Sequence, residues 1–275
     1  MGTVQAALTA ASARLAAAGV ADPVRDARLL MAEALGIEPG ALTPRARDPL
    51  GPAAPAFEAL VAERARRRPV AQILGRRAFW GRMFEVTGDV LDPRPETETI
   101  IAAALDGRPA GRVLDLGTGS GALLVTLLAE WPDARGLGTD ASAAALAVAA
   151  RNAGRHAVAE RAAFRLADWT NGIDDTFDLV VCNPPYIPAA AVATLEPDVR
   201  DWEPRAALTP GETGLEAYRR IVADLGRLVA PGGRAFFEFG EGQGPEVGAV
   251  FEAAGLGPRG LLPDLDGRPR VLALG

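Results

Sequence analysis

The sequence predicts an α/β protein in which a mostly parallel sheet, with helices on both faces, follows a small bundle of helices. From residue 111 onward, apolar strands alternate with amphipathic helices, which is the pattern of a covered parallel sheet. The first 70 residues contain only short amphipathic helical patterns. Between these regions, apolar residues broken by glycines indicate a β-hairpin. We therefore expect a helical domain over residues 1–77, a hairpin linker over 78–92 and the α/β domain over 93–275.

The composition narrows the chemistry that this protein can perform. The 275 residues include one cysteine, Cys182, and one histidine, His156, and all 29 basic residues are arginine. A single cysteine excludes an intramolecular disulfide and a cysteine-rich zinc site, and a single histidine excludes a paired-histidine metal motif. The lack of lysine excludes a P-loop lysine, a Schiff base and a lysine general base. Carboxylates, amides, backbone groups, aromatic rings or a cofactor are left to do the chemistry, and we expect no metal.

Charge and hydropathy favour a cytoplasmic protein without a membrane segment. The chain has 29 basic and 35 acidic residues, a formal net charge of −6. This balance disfavours sequence-independent binding to nucleic acid, which needs a basic field. No apolar run approaches the roughly 18 residues of a membrane-spanning helix. The N-terminal sequence also lacks the basic and apolar regions of a secretory signal.

Capping residues delimit the helices predicted in the N-terminal region. Asp22 can cap a helix that starts with Pro23 and ends at Gly36, because proline suits the first helical position and glycine suits the left-handed residue that ends a helix. A loop rich in proline and glycine is expected over residues 39–55. Thr3 can cap a helix that runs to Gly19. The three expected helices thus cover residues 3–19, 22–36 and 56–68.

The α/β region contains a regular series of strands and helices. Helices are predicted over residues 97–105, 122–130, 142–152, 214–229 and 245–254. Strands are predicted over residues 112–116, 135–140, 163–166, 177–183 and 234–240, with further segments near 256–262 and 270–274. Because ligands bind outside the carboxyl ends of parallel strands, the loops that follow these strands form the candidate site.

A glycine-rich turn, DLGTGSG, follows the first strand of the α/β region. Its glycines permit a tight turn and a close approach of backbone to a ligand, and the next helix offers free N–H groups. Such a turn suits a nicotinamide cofactor or S-adenosylmethionine. The carboxylate of Asp115 favours the second, because it suits an ammonium group and would sit badly beside a pyrophosphate. The candidate cofactor-binding residues here are Asp115, Gly117, Thr118, Gly119, Ser120 and Gly121.

Polar or aromatic residues follow two neighbouring strands. Asp140 ends the next strand, where a carboxylate can accept both hydroxyls of an adenosine ribose. A purely structural role for Asp140, as the N-cap of the following helix, is the alternative. Asp168 and Trp169 follow the third strand, where they could bind the amino group and cover the ring of an adenine. The alternative for Trp169 is simple packing on a loop.

The motif Asn183-Pro184-Pro185-Tyr186 follows a strongly apolar strand and decides the interpretation. Two prolines fix φ and remove N–H donors, so the neighbouring carbonyls are aimed in set directions. The Asn183 side-chain oxygen and the Pro184 carbonyl can then accept both hydrogens of one planar –NH2 group, and Tyr186 can stack on its flat face. We predict that all four residues bind substrate, that Asn183 and Pro184 are catalytic, and that Asn183 also contacts the cofactor. A rigid proline turn is the alternative.

These motifs resemble those of the S-adenosylmethionine-dependent amino-methyltransferases, whose (N/D)PP(Y/F) motif serves enzymes that methylate exocyclic amines of bases or glutamine amides of proteins. Nearly the whole chain is similar to the peptide-chain-release-factor glutamine N5-methyltransferases, a family often named PrmC or HemK. The matching stretches are QILGRRAFWGRMFEV (72–86), VLDPRPETE (90–98), DLGTGSG (115–121), NPPYIP (183–188), EPRAAL (203–208), GETGLEAYRRI (211–221) and DLDGRPRVL (264–272).

The resemblance implies a Rossmann-like methyltransferase sheet and an N-terminal helical domain that docks the substrate. It implies S-adenosyl-L-methionine as the cofactor, S-adenosyl-L-homocysteine as the product and no metal. The implied reaction is methylation of the side-chain amide nitrogen, N5, of the glutamine in the GGQ motif of peptide chain release factors. Release factors are thus the expected partners, and no nucleic acid is expected as a direct substrate.

Four alternatives remain at this point. A nucleic-acid amino-methyltransferase would use the same NPPY motif, but it predicts a basic face. A glutamine methyltransferase for a ribosomal protein would also share the motif. A catalytically silent methyltransferase-like binding module would not need to keep Asp115, Asp140 and Asn183 together. A nicotinamide dehydrogenase leaves NPPY unexplained.

Two further features have competing interpretations. The arginine-rich stretch Arg64–Arg82 is either a solvated helix end or a docking surface for an acidic protein partner. His156 is expected to be a surface residue on the connection between a helix and a strand, rather than a catalytic base.

Overall fold

A computed structural model describes residues 2–275, which divide into two units. The two units are the described residues up to Gly75 with Glu196–Trp202, and Arg76–Leu195 with Glu203–Gly275. The first boundary lies two residues before the expected one, so the hairpin belongs to the second unit from its first residue. The inclusion of residues 196–202 in the first unit was not expected, because nothing local in that segment marks it as part of a helical bundle.

Among the residues that the structure describes, four α-helices precede the hairpin: α1 (Val4–Ala17), α2 (Pro23–Leu35), α3 (Ala54–Ala65) and α4 (Val70–Leu74). The caps behave as predicted, since Thr3 accepts a hydrogen bond from the N–H of Ala6 and Asp22 accepts one from Arg25. Gly36 ends α2 with a φ of 63°. The expected loop over residues 39–55 instead contains two 3-10 helices, Pro39–Arg45 and Gly51–Ala53, and α4 is too short for a periodic pattern to predict.

A buried ion-pair cluster ties the segment Glu196–Trp202 to α2 and α3 within the first unit. Arg64 on α3 donates from Nε to Asp26 on α2 at 2.7 Å, and its Nη2 lies 2.6 Å from Asp198 Oδ2. Arg67 pairs with the same Asp198 and with Glu196. The Arg64 side chain is 6% exposed and that of Asp26 is 9% exposed. Because burial removes water from the guanidinium, its carboxylate partners must compensate for the lost hydration.

The remaining arginines of the stretch Arg64–Arg82 are largely paired as well. These pairs are Arg66 with Glu63, Arg68 with Glu63, Arg77 with Asp92, and Arg82 with Glu130. Each of these guanidinium groups therefore has a carboxylate partner within its own unit. This arrangement argues against an open basic docking surface, and the burial of Arg64 also departs from a simple solvated helix end.

We expect Asp26→Ala to lower the free energy of unfolding by about 2 kcal/mol, because it leaves one face of a buried guanidinium without a partner. The loss stays below the cost of breaking a whole buried pair, since Arg64 keeps Asp198. Urea denaturation followed by far-UV circular dichroism measures the change. Glu58→Ala is the matched control, because Glu58 is 67% exposed in its pair with Arg14. Equal denaturation midpoints for the two variants would contradict a stabilising role for the cluster.

The second unit begins with a two-stranded antiparallel hairpin of β1 (Arg76–Phe79) and β2 (Arg82–Glu85). Its turn consists of Trp80 and Gly81, with φ values of 48° and 69°. The hairpin was expected within the linker over residues 78–92, but its strands begin earlier and stop at residue 85. The later apolar residues Val86 and Val90 are buried outside any strand.

The rest of the second unit alternates helices and strands. Its strands are β3 (Arg112–Leu116), β4 (Arg135–Asp140), β5 (Ala162–Leu166), β6 (Phe177–Cys182), β7 (Val229–Glu238), β8 (Gly260–Pro263) and β9 (Pro269–Leu274). Its longer helices are α5 (Glu98–Leu105), α6 (Ala122–Glu130), α7 (Ala143–Arg155), α10 (Glu216–Leu228) and α11 (Gly244–Ala253). The short helices α8 (Pro197–Arg200) and α9 (Arg205–Leu208) lie in the long loop after β6, where no helix was predicted.

The seven strands form one sheet in the order β5-β4-β3-β6-β7-β9-β8. The first five are mutually parallel, β9 pairs antiparallel with β7, and β8 pairs antiparallel with β9 at the edge of the sheet. Successive residues of β3 enter different apolar clusters: Val113 packs with α5 and α6, and Leu114 packs with α10 and α11. The sheet is thus covered on both faces, which confirms the predicted α/β class. Within the described residues, no helix combines the length and apolar character that a bilayer span requires.

Candidate active site

A cavity of about 470 Å³ opens at the carboxyl ends of β3, β4 and β6, within the second unit. The predicted site residues that line it are Asp115, Gly117, Thr118, Gly119, Ser120, Asp140, Asp168, Trp169, Asn183 and Pro185. Three predicted residues lie outside its wall: Gly121, Pro184 and Tyr186. The parallel register explains the clustering, because adjacent parallel strands end at one edge of the sheet.

The glycine turn uses left-handed backbone at its three glycines. Gly117, Gly119 and Gly121 have φ values of 70°, 53° and 80°. Gly121 is the N-cap of α6, and a Cβ placed there would lie 3.2 Å from the Cα of Ala149 on α7. Gly121 therefore permits the close packing of two helices, whereas Gly117 and Gly119 line the cavity.

Asp115 is a buried carboxylate with one oxygen left without a partner. Its Oδ2 accepts hydrogen bonds from the Thr118 hydroxyl at 2.7 Å and from the Leu124 N–H at 3.3 Å. No hydrogen bond reaches its buried Oδ1 from any residue that the structure describes. Burial raises the pKa of Asp115 to about 7. An unpartnered carboxylate oxygen in a cavity wall is a fitting acceptor for a ligand ammonium group, which would lower this pKa again.

Asp140 is held in place by backbone N–H groups. Its Oδ2 accepts from Gly119 at 2.9 Å, and its Oδ1 accepts from Ser142 at 2.9 Å. The N-cap of α7 is Ser142, whose hydroxyl accepts from the N–H of Ala145. Asp140 is therefore not the helix cap that the alternative interpretation required. Each of its oxygens keeps a lone pair for a further donor, as binding to a ribose would need.

Asp168 and Trp169 lie on the cavity wall beside the glycine turn. Trp169 adopts a φ of 54°, and a Cβ on Gly117 would lie 3.4 Å from the Trp169 ring. The ring thus packs closely over the turn and also contacts an apolar core cluster. The Asp168 carboxylate is already paired with Arg220, a cavity residue that was not predicted. The proposed contacts with adenine remain predictions.

The asparagine of the NPPY motif is oriented by a hydrogen bond to another residue of the cavity wall. Asn183 Nδ2 donates to the hydroxyl oxygen of Thr97 at 3.0 Å. The Tyr186 hydroxyl lies 3.5 Å from Glu238 Oε1, and the Tyr186 backbone carbonyl accepts from Gln243 at 2.9 Å. These contacts anchor Tyr186 behind the wall, so stacking on a substrate amide would require a different position of the ring. Pro184 is buried beside it.

Several polar residues around the cavity were missed from the sequence. Thr97 and Arg94 line the cavity, and Arg94 donates to both carboxylate oxygens of Glu203 at 2.7 Å. Burial raises the pKa values of Glu203 and Glu238 to about 7. Glu238 could have been identified from the sequence, since a lone glutamate in the apolar strand sequence RAFFEFG is unusual for a buried strand.

His156 lies away from the cavity wall, as expected for a residue without a catalytic role. Its Nε2 is 3.1 Å from the Met83 carbonyl oxygen, and its ring centroid is 4.8 Å from that of Phe84. Burial lowers the pKa of His156. Throughout residues 2–275, no cluster of three histidine, cysteine or acidic side chains has the arrangement of a metal site.

Comparison with known sequences assigns the chain to a family. Residues 6–75 match the family model of the PrmC N-terminal domain, and residues 95–195 match that of the methyltransferase small domain. The release factor glutamine methyltransferase of Cereibacter sphaeroides is 54% identical over 97% of this chain and 96% of its own length. The chain belongs to the release factor glutamine methyltransferase family.

Other members of the release factor glutamine methyltransferase family are similar over comparable lengths. That of Rhodospirillum rubrum is 45% identical and covers 94% of this chain and 81% of its own. That of Caulobacter vibrioides is 44% identical, with 98% and 95% covered. Membership of a methyltransferase family excludes the nicotinamide dehydrogenase alternative.

Solved structures agree on the fold of this release factor glutamine methyltransferase family member. The hMettl16 catalytic domain in complex with MAT2A 3'UTR hairpin 6 has a TM-score of 0.60 at 18% identity, over 78% of this chain and 80% of that one. A methyltransferase from Pyrococcus furiosus has a TM-score of 0.53 at 15% identity, over 72% and 90%. At such low sequence identities, the structural similarity supports the Rossmann-like methyltransferase fold and nothing about substrate.

Proposed function

We propose that this protein transfers a methyl group from S-adenosyl-L-methionine to the N5 amide nitrogen of the GGQ glutamine in peptide chain release factors. The observation that supports this most directly is the orientation of Asn183. Its side-chain nitrogen is bound to Thr97, which leaves its oxygen as the acceptor available on the cavity side. An acceptor at this point suits an –NH2 group, and the names of the relatives identify that group as a glutamine amide.

The cofactor is held at the glycine-turn side of the cavity in this proposal. Asp115 Oδ1 accepts from the ammonium group of the methionyl moiety, and Asp140 accepts from the ribose hydroxyls. Asp168 and Trp169 contact the adenine, while Gly117, Thr118, Gly119 and Ser120 contribute the surrounding wall. When bound, S-adenosylmethionine supplies a methyl group activated by a positively charged sulfur, and S-adenosylhomocysteine is released.

The NPPY residues position the substrate amide. An amide nitrogen is a poor nucleophile because its lone pair is delocalised into the carbonyl. Two acceptors, Asn183 Oδ1 and the Pro184 carbonyl, hold both hydrogens and stabilise the positive charge that develops on nitrogen during transfer. Correct placement can contribute on the order of 7–11 kcal/mol to the barrier reduction. The methylated nitrogen then loses one of its two protons to solvent, which gives the neutral N-methyl amide. Because this acidic proton leaves after transfer, no strong base is needed beforehand, which suits a chain with one histidine and no lysine.

The partners follow from the same proposal. Release factors present the GGQ loop to the cavity, and the helical unit that matches the PrmC N-terminal domain docks their surface. A net charge of −6 disfavours nucleic acid as a direct substrate. Because translation termination takes place in the cytoplasm, we place the protein there.

A methyl-transfer assay with labelled S-adenosylmethionine tests the proposed function. The substrates are a purified release factor, the same factor with its GGQ glutamine changed to alanine, a ribosomal-protein mixture, and RNA and DNA. We expect label on the intact factor alone, mapped by mass spectrometry to the GGQ glutamine. Label on ribosomal proteins or nucleic acid would move the substrate to one of the alternatives. Cofactor binding without any label would favour the silent binding module.

A further inference from the structure

A chain of side-chain hydrogen bonds runs from Asn183 into the interior of the second unit. Asn183 Nδ2 donates to Thr97 Oγ1 at 3.0 Å, and Thr97 Oγ1 donates to Glu238 Oε2 at 2.6 Å. Thr97 is 5% exposed and Glu238 is 1% exposed. The three residues come from the loop after β6, the start of α5 and the end of β7, so the chain links separate elements.

The donor and acceptor capacities of these groups determine the orientation of the asparagine. An ionised carboxylate only accepts, so the single hydroxyl hydrogen of Thr97 goes to Glu238. The Thr97 oxygen then has only lone pairs for its second neighbour, which must present N–H. Asn183 therefore turns its –NH2 toward Thr97 and its Oδ1 toward the cavity. The reverse orientation would place two acceptors against each other.

Thr97 is free for this role because it does not cap its helix. It occupies the N-cap position of α5, yet its side chain makes no capping hydrogen bond. Its hydroxyl is directed to Glu238 instead. Loss of the hydroxyl therefore removes the link to Glu238 without removing a helix cap.

Glu238 is surrounded by groups from every neighbouring element. Tyr186 reaches Oε1 from the loop after β6, and the Tyr218 hydroxyl of α10 donates to the Glu238 backbone carbonyl at 2.8 Å. The other titratable or charged groups that influence it are Arg270 on β9, Arg94 and Glu96 before α5, and Cys182 on β6. Thr97 makes the shortest hydrogen bond to its carboxylate.

We propose that Thr97 and Glu238 are positioning residues for methyl transfer, which hold the Asn183 amide with its oxygen facing the substrate –NH2 group. This proposal rests on the proposed function, because it explains why the Asn183 oxygen, the acceptor that the function requires, faces the substrate. Neither residue touches the reacting atoms. They act by excluding the flipped orientation of Asn183, in which its own –NH2 group would face the –NH2 group of the substrate.

The same chain of hydrogen bonds makes turnover sensitive to pH. Burial raises the pKa of Glu238 to about 7. Above this pH the carboxylate is ionised and accepts from Thr97. Below it, the protonated carboxyl donates to Thr97, whose own hydrogen turns toward Asn183 and draws the amide oxygen away from the cavity. We therefore expect turnover to rise with pH through about 7, and to fall about tenfold per pH unit well below that value.

Substitutions at Thr97 test the positioning role. Thr97→Val keeps the shape and removes the hydroxyl, and we expect kcat on a release factor to fall about tenfold with an unchanged Kd for S-adenosylmethionine. Thr97→Ser keeps the hydroxyl and is expected to stay within about twofold of wild type. The matched control is Thr126→Val, because Thr126 is fully buried on α6 and none of the described residues hydrogen-bonds its hydroxyl. Wild-type kcat in Thr97→Val, or an equal loss in Thr97→Ser, would overturn the proposal.

Glu238→Gln tests the pH dependence. We measure kcat at saturating S-adenosylmethionine, so that titration of Asp115, which acts on cofactor affinity, does not contribute. The acidic fall in kcat is expected in wild type and is expected to disappear in Glu238→Gln. The same fall in both proteins would rule out Glu238 as its source.

An NMR measurement keeps this inference separate from the proposed function. The chain has only three asparagines, at positions 152, 171 and 183, so the Asn183 side-chain amide can be assigned by comparison with Asn183→Ala. Above pH 7 we expect its hydrogens to be protected from exchange with solvent, relative to a free asparagine amide at the same pH, and to lose this protection in Thr97→Val and below pH 6 in wild type. Unprotected exchange in wild type above pH 7 would refute the positioning chain even if release factors are methylated. Protection without release-factor methylation would refute only the function.

Discussion

Replacement of Asn183 by alanine is expected to lower turnover at least about 100-fold, the scale of losing one preorganised contact to a developing charge. Asn183 provides the proposed acceptor in the cavity wall, and its side-chain nitrogen donates to Thr97 in the same wall. Alanine removes the acceptor without filling the cavity or altering the two prolines that follow. Single-turnover methylation of a release factor at saturating cofactor measures the effect.

Cofactor binding separates this loss from misfolding. The Kd for S-adenosylmethionine, measured by calorimetry on the same preparation, is expected to stay largely unchanged, because Asp115 and Asp140 remain in place. Thermal unfolding should also stay close to wild type, since Asn183 is only partly buried. Normal turnover in Asn183→Ala would contradict the role of this side chain in catalysis.

Asp140→Ala should weaken the binding of S-adenosylmethionine about 100-fold, which corresponds to about 2.8 kcal/mol. The N–H groups of Gly119 and Ser142 fix the Asp140 carboxylate at the cavity wall. Its oxygens are therefore held in place before the ribose hydroxyls bind. Alanine removes both proposed acceptors for the ribose hydroxyls. Isothermal titration calorimetry gives the Kd directly.

Asp133→Ala is the matched control for this variant. Asp133 is exposed on the connection between α6 and β4 and does not line the cavity. Its replacement should leave the Kd within about twofold of wild type. An unchanged Kd in Asp140→Ala would mean that this carboxylate only organises the glycine turn. A rise in Kd together with a normal kcat at saturating cofactor would support a role in binding alone.

The elements nearest the site were predictable because their signals are local. Strand β3, the glycine turn and α6 occupy the predicted residues, since a short apolar run, closely spaced glycines and a helical pattern follow one another without a gap. The caps of α1 and α2 were found for the same reason, because a cap lies within three residues of the N–H that it accepts from. The site residues at the ends of parallel strands could be grouped from topology alone.

The elements in the long loop after β6 could not be predicted in the same way. Helices α8 and α9 have four residues each, too few for a hydrophobic period to show. Residues 196–202 join the first unit through ion pairs of Glu196 and Asp198 with arginines about 130 positions earlier. Such pairs depend on which elements fold against each other, and no spacing along the chain reveals them.

By itself, the sequence determined the fold class, the order of the main elements and the part of the cavity wall that follows the parallel strands, because periodicity, caps and glycine turns act over a few residues. Only the tertiary structure decided how the groups in that wall are oriented. Thr97 lies 86 positions from Asn183 and 141 from Glu238, yet the three side chains form one hydrogen-bonded chain. Tyr186 is held by contacts with residues 52 and 57 positions away in the sequence. A side chain's direction is set by its partners, and these partners meet only when distant strands and helices pack.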